Sequence, residues 1–107
     1  MHIGLIGGIG PAAIEFYYRG LCDAFDAAGR VMDLTIVHAD AHEMVRNVTA
    51  GDPDKQAEIF AGFADRLKAA GADIAVVTFM GGHFCIDAFE HISPLPVLNG
   101  VAALNAL

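Results

Sequence analysis

The sequence predicts an α/β domain: a four-stranded parallel sheet with helices on both faces. Three observations point there. The chain opens on an apolar run, His2 to Ile6, that gives way to Gly7, Gly8 and Gly10 and then to Pro11 and a helical pattern. Apolar runs of strand length alternate with segments whose apolar residues recur at helical spacing. The runs at Leu34–Val37 and Ile74–Val77 are rich in β-branched residues and free of charge, as strands covered on both faces should be.

Taken in order, His2 to Ile6 is the first strand and the glycines form a tight turn. Pro11 suits a first helical position, where its missing N–H would have had no partner. Ile14, Tyr17, Tyr18, Leu21 and Phe25 form one apolar stripe on the first helix, which Gly29 stops. Leu34-Thr35-Ile36-Val37 is a buried second strand ending in His38-Ala39-Asp40. Met44, Val45 and Val48 mark a short helix. Asp52 then caps, and Pro53 begins, a longer one whose buried face is Ile59, Phe60, Phe63 and Leu67, with Gly71 as its stop. Ile74 to Val77 is the third strand, with Thr78 to His83 as its tip. Cys85, Ile86, Phe89 and Ile92 mark another helix, stopped by Ser93-Pro94; Val97-Leu98 is a short fourth strand, and Val101 begins a further helix. The order β-α-β-α-β-α-β with short connections implies parallel strands.

At 107 residues the chain is one domain, residues 1–107, and 55% hydrophobic residues support a filled core. A net charge of −7 with scattered Lys and Arg speaks against a nucleic-acid surface. Cys22 and Cys85 lack any ligand spacing, which argues against both a disulfide framework and a metal site and fits a reduced, cytoplasmic setting. No basic leader precedes the first apolar run, and no stretch approaches the roughly 20 apolar residues of a membrane span. The final helical pattern has no stop signal, so the expectation is part of a longer protein.

Ligands of open parallel sheets bind beyond the carboxyl ends of the strands. The first such end is the glycine corner, where backbone amides and the helix dipole favour an anion, phosphate and carboxylate alike. Gly8, Ile9, Gly10 and Pro11 are the candidate binding residues here. Gly8-Ile9-Gly10-Pro11-Ala12-Ala13 also matches the G-x-G-x-x-A dinucleotide pattern, although the acid that would hold a ribose, Asp40, comes two residues past its strand and after an imidazole. The alternative is a turn closed by glycines with no ligand. The second end carries His38, either an acid/base or hydrogen-bond donor, or a solvated loop residue. The third carries Met80, Gly81 and Gly82 as a second anion-accepting turn, with Thr78 and His83 beside it; His83 either meets a ligand or caps the helix. Cys85, in the first turn of a helix, would have its thiolate stabilised by the dipole, but its spacing with Ile86, Phe89 and Ile92 favours packing. Cys22, deep in the first helix, reads as structural.

Ile3-Gly4-Leu5-Ile6-Gly7-Gly8-Ile9-Gly10-Pro11, then Tyr17-Tyr18-Arg19, the segment Val45 to Gly51, Ala69-Ala70-Gly71-Ala72-Asp73, the tip ending in His83, and Pro96-Val97-Leu98 together resemble the N-terminal half of the aspartate/glutamate (Asp/Glu/hydantoin) racemase superfamily. The resemblance implies a flavodoxin-like half of a pseudo-symmetric two-domain fold, with the second half outside this sequence. It further implies a cofactor-independent isomerase of amino-acid metabolism, a small α-amino or dicarboxylic acid ligand such as aspartate or glutamate, and a homodimer as a further expectation. Such enzymes exchange the α-proton between two acid/base residues, typically cysteines, one from each half. Here the family's Cys-Asn-Thr-x-His tip, or Thr-Asn-Thr-x-His in one branch, is matched by Phe79, Met80, Gly81, Gly82 and His83. Phe79 cannot exchange a proton, Met80 cannot donate as Asn does, Ile14 stands where an early Thr is usual, and His38 where one branch has Ser. The catalytic residue is therefore supplied by the second half, or by a displaced group among His38, Thr78, His83 and Cys85, or the protein is a catalytically inactive carboxylate-binding homologue. The reading from a different class is an NAD(P)- or nucleotide-binding Rossmann-type domain.

Overall fold

The computed structural model describes residues 1–8, 11–78 and 85–99. The elements run β1 (His2–Gly7), α1 (Pro11–Ala28), β2 (Asp33–His38), α2 (Ala41–Thr49), α3 (Pro53–Ala69), β3 (Ile74–Val77), α4 (Ile86–Ile92) and β4 (Val97–Asn99). All pairings are parallel and the strand order is β2-β1-β3-β4. The expected four-stranded parallel sheet is present. The helix expected from Val101 lies outside the described residues.

Alternation along β1 divides the core. Leu5 packs with Tyr17 of α1 and Val76 of β3, and Ile6 faces the larger cluster built by α2, α3 and α4. That cluster centres on Phe60 and Phe89, whose rings meet edge to face at 5.6 Å and 65°. Both helix layers press close to β1. A Cβ at Gly4 would lie 2.8 Å from Leu67 Cδ1 of α3, and one at Gly7 would lie 2.9 Å from the Ile14 side chain of α1. The amino end of β1 is held from both sides. His2 N donates to Asp73 Oδ2 at 2.8 Å, Asp73 N donates to His2 O at 2.8 Å, and the His2 ring and the Thr35 hydroxyl share a 2.7 Å hydrogen bond.

Local signals behave largely as expected. Asp52 Oδ1 accepts from Lys55 N at 3.1 Å to cap α3, and Pro53 is its first residue. Gly29 and Gly71 follow α1 and α3 at positive φ, 65° and 98°.

Three expectations about burial are corrected, and α2 shows a face its apolar pattern did not specify. β2 is an edge strand, so it is only partly buried and Ile36 is 45% exposed. Tyr18 lies off the stripe that meets the sheet and is 49% exposed. Ile92 stands at the end of α4, half exposed, and only Phe89 of that helix is buried. In α2 the inward positions are Met44 and Asn47, whereas Val45 and Val48 face outward. Apolar spacing alone does not specify this face because one of its buried contacts is polar: Asn47 Nδ2 donates to Gln56 Oε1 of α3 at 2.7 Å.

Among the described residues the two faces are unequally covered, by α1 on one side and by α2, α3 and α4 on the other. A helix about 10 Å across screens only about two strands spaced ~4.8 Å apart. On the α1 side an apolar groove therefore remains, with Ile3, Leu5, Tyr17, Val76 and Leu98 in its lining. Among the described residues no helix is long and apolar enough to cross a membrane.

Breaking the α2–α3 polar pair tests this account. Asn47→Ala leaves Gln56 buried without its partner and should lower unfolding free energy by about 1–3 kcal/mol. Replacing both residues with Leu should recover most of that loss. Urea denaturation midpoints of the three variants check both outcomes.

Candidate functional site

Because the strands are parallel, the carboxyl ends of β1, β2 and β3 share one edge, with Gly7 in register with His38 and Ile6 in register with Val77. The first landmark there is Gly8, at φ 101°, a left-handed conformation that an L side chain rarely adopts. Space forbids a side chain as firmly as conformation does. A Cβ on Gly8 would sit 2.5 Å from Ala39 O, 2.6 Å from His38 Nδ1 and 2.8 Å from His38 Cε1. The Nδ1–Cε1 edge of the imidazole thus lies against the turn. The backbone is pinned beside it, as Ala39 N donates to Gly7 O at 2.7 Å. Two residues singled out separately in the sequence, Gly8 and His38, form one corner, and His38 is exposed there.

Thr78 belongs to the frame of this corner. Its hydroxyl donates to Ile6 O at 3.0 Å, and the residue is 2% exposed. It ties the tip of β3 to β1, and this engagement weighs against it as a proton-exchanging group.

Cys85 stands at the N-cap of α4 without a side-chain capping bond and is 2% exposed. Burial pushes its thiol up to about 11, and a backbone hydrogen bond opposes the shift less strongly. Burial therefore keeps the thiol protonated, and it packs against the core, as its spacing implied. Cys22 is half-buried, beside Glu15, Tyr18, Arg19 and Asp23 in a surface hollow.

Asp40, the acid that a dinucleotide site would need, is engaged elsewhere. Its Oδ1 accepts from His42 N at 2.9 Å and caps α2. That capping weighs against the nucleotide reading. Pro11 opens α1 as expected. Ile9, Gly10, Phe79, Met80, Gly81, Gly82 and His83 lie outside the described residues. The register also brings Asn99 to this edge opposite Val77, one residue beyond the Val97-Leu98 run that marks the fourth strand in the sequence. Among the described residues no group of three or more His, Cys, Asp or Glu is arranged to hold a metal ion.

No protein-family model and no curated protein sequence matches the chain. Solved structures do. One is a candidate Asp/Glu racemase from Yersinia pestis, 31% identical, with a TM-score of 0.82 over 92% of this chain and 45% of that one. Another is an aspartate racemase homologue from Pyrococcus horikoshii, 20% identical, with a TM-score of 0.80 over 98% of this chain and 47% of that one. The second likeness is one of fold alone. The chain spans about half the length of either structure.

Two outcomes follow from the geometry of this edge. Gly8→Ala combines a disfavoured φ with a backbone clash and should cost at least ~1–2 kcal/mol in chemical denaturation. For Cys85, the folded thiol at about 11 lies above its ordinary value of 9.0, so the unfolded chain ionises first. Its contribution to stability is complete below pH 9 and is lost as pH rises towards 11. Unfolding free energies measured across that window should fall more steeply in the parent protein than in Cys85→Ala.

Proposed function

We propose that this chain is the N-terminal half of an Asp/Glu racemase-type isomerase, and that the carboxyl edge of its sheet holds the carboxylate of a small α-amino or dicarboxylic acid such as aspartate or glutamate. The observation that carries the reading is the 31% identity to the candidate Asp/Glu racemase across nearly the whole chain, on a sheet whose first turn is a glycine corner. A carboxylate is well matched to such a corner. Backbone amides at the start of a long helix carry partial positive charge, and a turn without a Cβ lets a ligand approach the backbone.

Racemisation at an α-carbon is proton exchange. A group on one side of the substrate removes the proton as the electron pair delocalises into the carboxylate, and a proton is delivered to the opposite face. One domain borders one side of the substrate, so a two-half enzyme is a natural architecture for this reaction. The reaction proposed is cofactor-independent, because the carboxylate itself accepts the electron pair.

A catalytically inactive carboxylate binder is the second reading, and one residue favours it. Phe79 stands where the resembling family carries a cysteine, and a phenyl ring exchanges no proton.

Titration of the purified protein with D- and L-aspartate and D- and L-glutamate should give a saturable calorimetric signal with at least one of them. Circular dichroism of the same mixtures should show loss of optical activity over time. Binding without that loss selects the inactive reading, and absence of any binding rejects both.

A further inference from the structure

Proton exchange at carbon needs a side chain that reaches the ligand and whose proton-carrying atom is neither engaged by the fold nor withdrawn from water. The described residues at and just beyond the strand tips meet this demand unequally. Thr78 directs its hydroxyl at Ile6 O and is buried. The carboxylate of Asp40 holds the start of α2. Cys85 keeps its thiol protonated inside the core. His38 differs from all three. It is exposed, it closes the strand hydrogen-bonded to β1, and its ring lies along the glycine turn.

The contact with Gly8 gives this placement its weight. The imidazole edge lies within 2.6–2.8 Å of the point a Cβ at residue 8 would take, so the ring sits directly beside the turn. Its backbone is fixed as well, since His38 is the last paired residue of β2 and the next amide donates to Gly7 O at 2.7 Å. A ligand carboxylate held at the Gly8 corner would therefore meet an imidazole carried on a backbone that the sheet fixes, and not on a long loop.

Resting on the proposed carboxylate-binding function, we infer that His38 is the proton-exchanging catalytic residue of this half. Neutral imidazole takes the α-hydrogen of the bound amino acid as a proton. The Cα–H bond breaks, an N–H bond forms, and the electron pair passes into the carboxylate to give an enediolate. The imidazolium then returns a proton to Cα, either the one it took or one exchanged with water. Nothing is oxidised or reduced, and no further reactant is required. The assignment also gives the protein an acid/base that does not depend on position 79.

The test follows the α-hydrogen. The protein is incubated in D2O with each enantiomer of aspartate and glutamate, and loss of the α-¹H signal is followed by NMR beside calorimetric affinity. His38→Gln should slow exchange by about 100-fold or more, the range of general acid–base groups, with affinity changed by no more than about threefold. In His38→Ala, added imidazole should restore exchange in proportion to its concentration, a response that a merely structural histidine would not produce. Exchange by His38→Gln within about threefold of the parent overturns the assignment. So does a parent protein that binds the amino acid without exchanging its α-hydrogen, an outcome that leaves the binding reading standing. A parent that binds none of these acids rejects the function on which the inference rests. Should the substituted proteins fail to fold, the His38 Cε1–H resonance of the parent decides: it should shift as ligand is added, and an unmoved resonance overturns the assignment.

Discussion

Close approach to β1 governs the rest of this domain. The strand lies inside the sheet between β2 and β3, and side chains alternate to its two faces. At Gly4 it admits Leu67 of α3 and at Gly7 it admits Ile14 of α1, each within a distance that a Cβ would violate. In an interior packed to crystal-like density, adding such an atom would force these side chains to shift. Hydrogen bonds hold the strand at both ends, through Asp73 at the amino end and through Ala39 and Thr78 at the carboxyl end. The glycine corner is therefore the half-buried end of a strand fixed along its length, the kind of support a preorganised site requires.

The same packing decides which polar groups remain available for chemistry. A buried hydroxyl or thiol must satisfy itself within the fold or stay uncharged. Thr78 does the first, by bonding to Ile6 O, and Cys85 does the second. Asn47 and Gln56 satisfy each other across the α2–α3 contact and so are not available to a ligand. His38 escapes this fate because β2 is the edge strand, where burial is incomplete. Its exposure and its contact with Gly8 share one cause in the strand order.

The solved structures with this fold are about twice as long as the chain, and likeness covers 45% of one and 47% of the other. The apolar groove on the α1 side accords with a domain that leaves part of one sheet face uncovered by its own described helices. The proposed chemistry assigns His38 to the carboxyl edge of the sheet.

Much of the fold was legible in the residues. Parallel strands follow from charge-free apolar runs joined by helices, and helix limits follow from Pro53, Asp52, Gly29 and Gly71, because these signals act through local dihedrals and local hydrogen bonds. The glycine corner was legible for the same reason. What the residues alone did not decide was which face or tip each side chain meets. Ile36 read as part of a buried strand and is exposed, since an apolar run cannot tell an edge strand from a central one, and the α2 pattern gave no sign of a polar partner such as Gln56. Thr78 and His38 read as equals at two strand tips. Only the tertiary structure separated them: strand order set the Thr78 hydroxyl against a carbonyl 72 residues away, and left the His38 imidazole exposed beside Gly8.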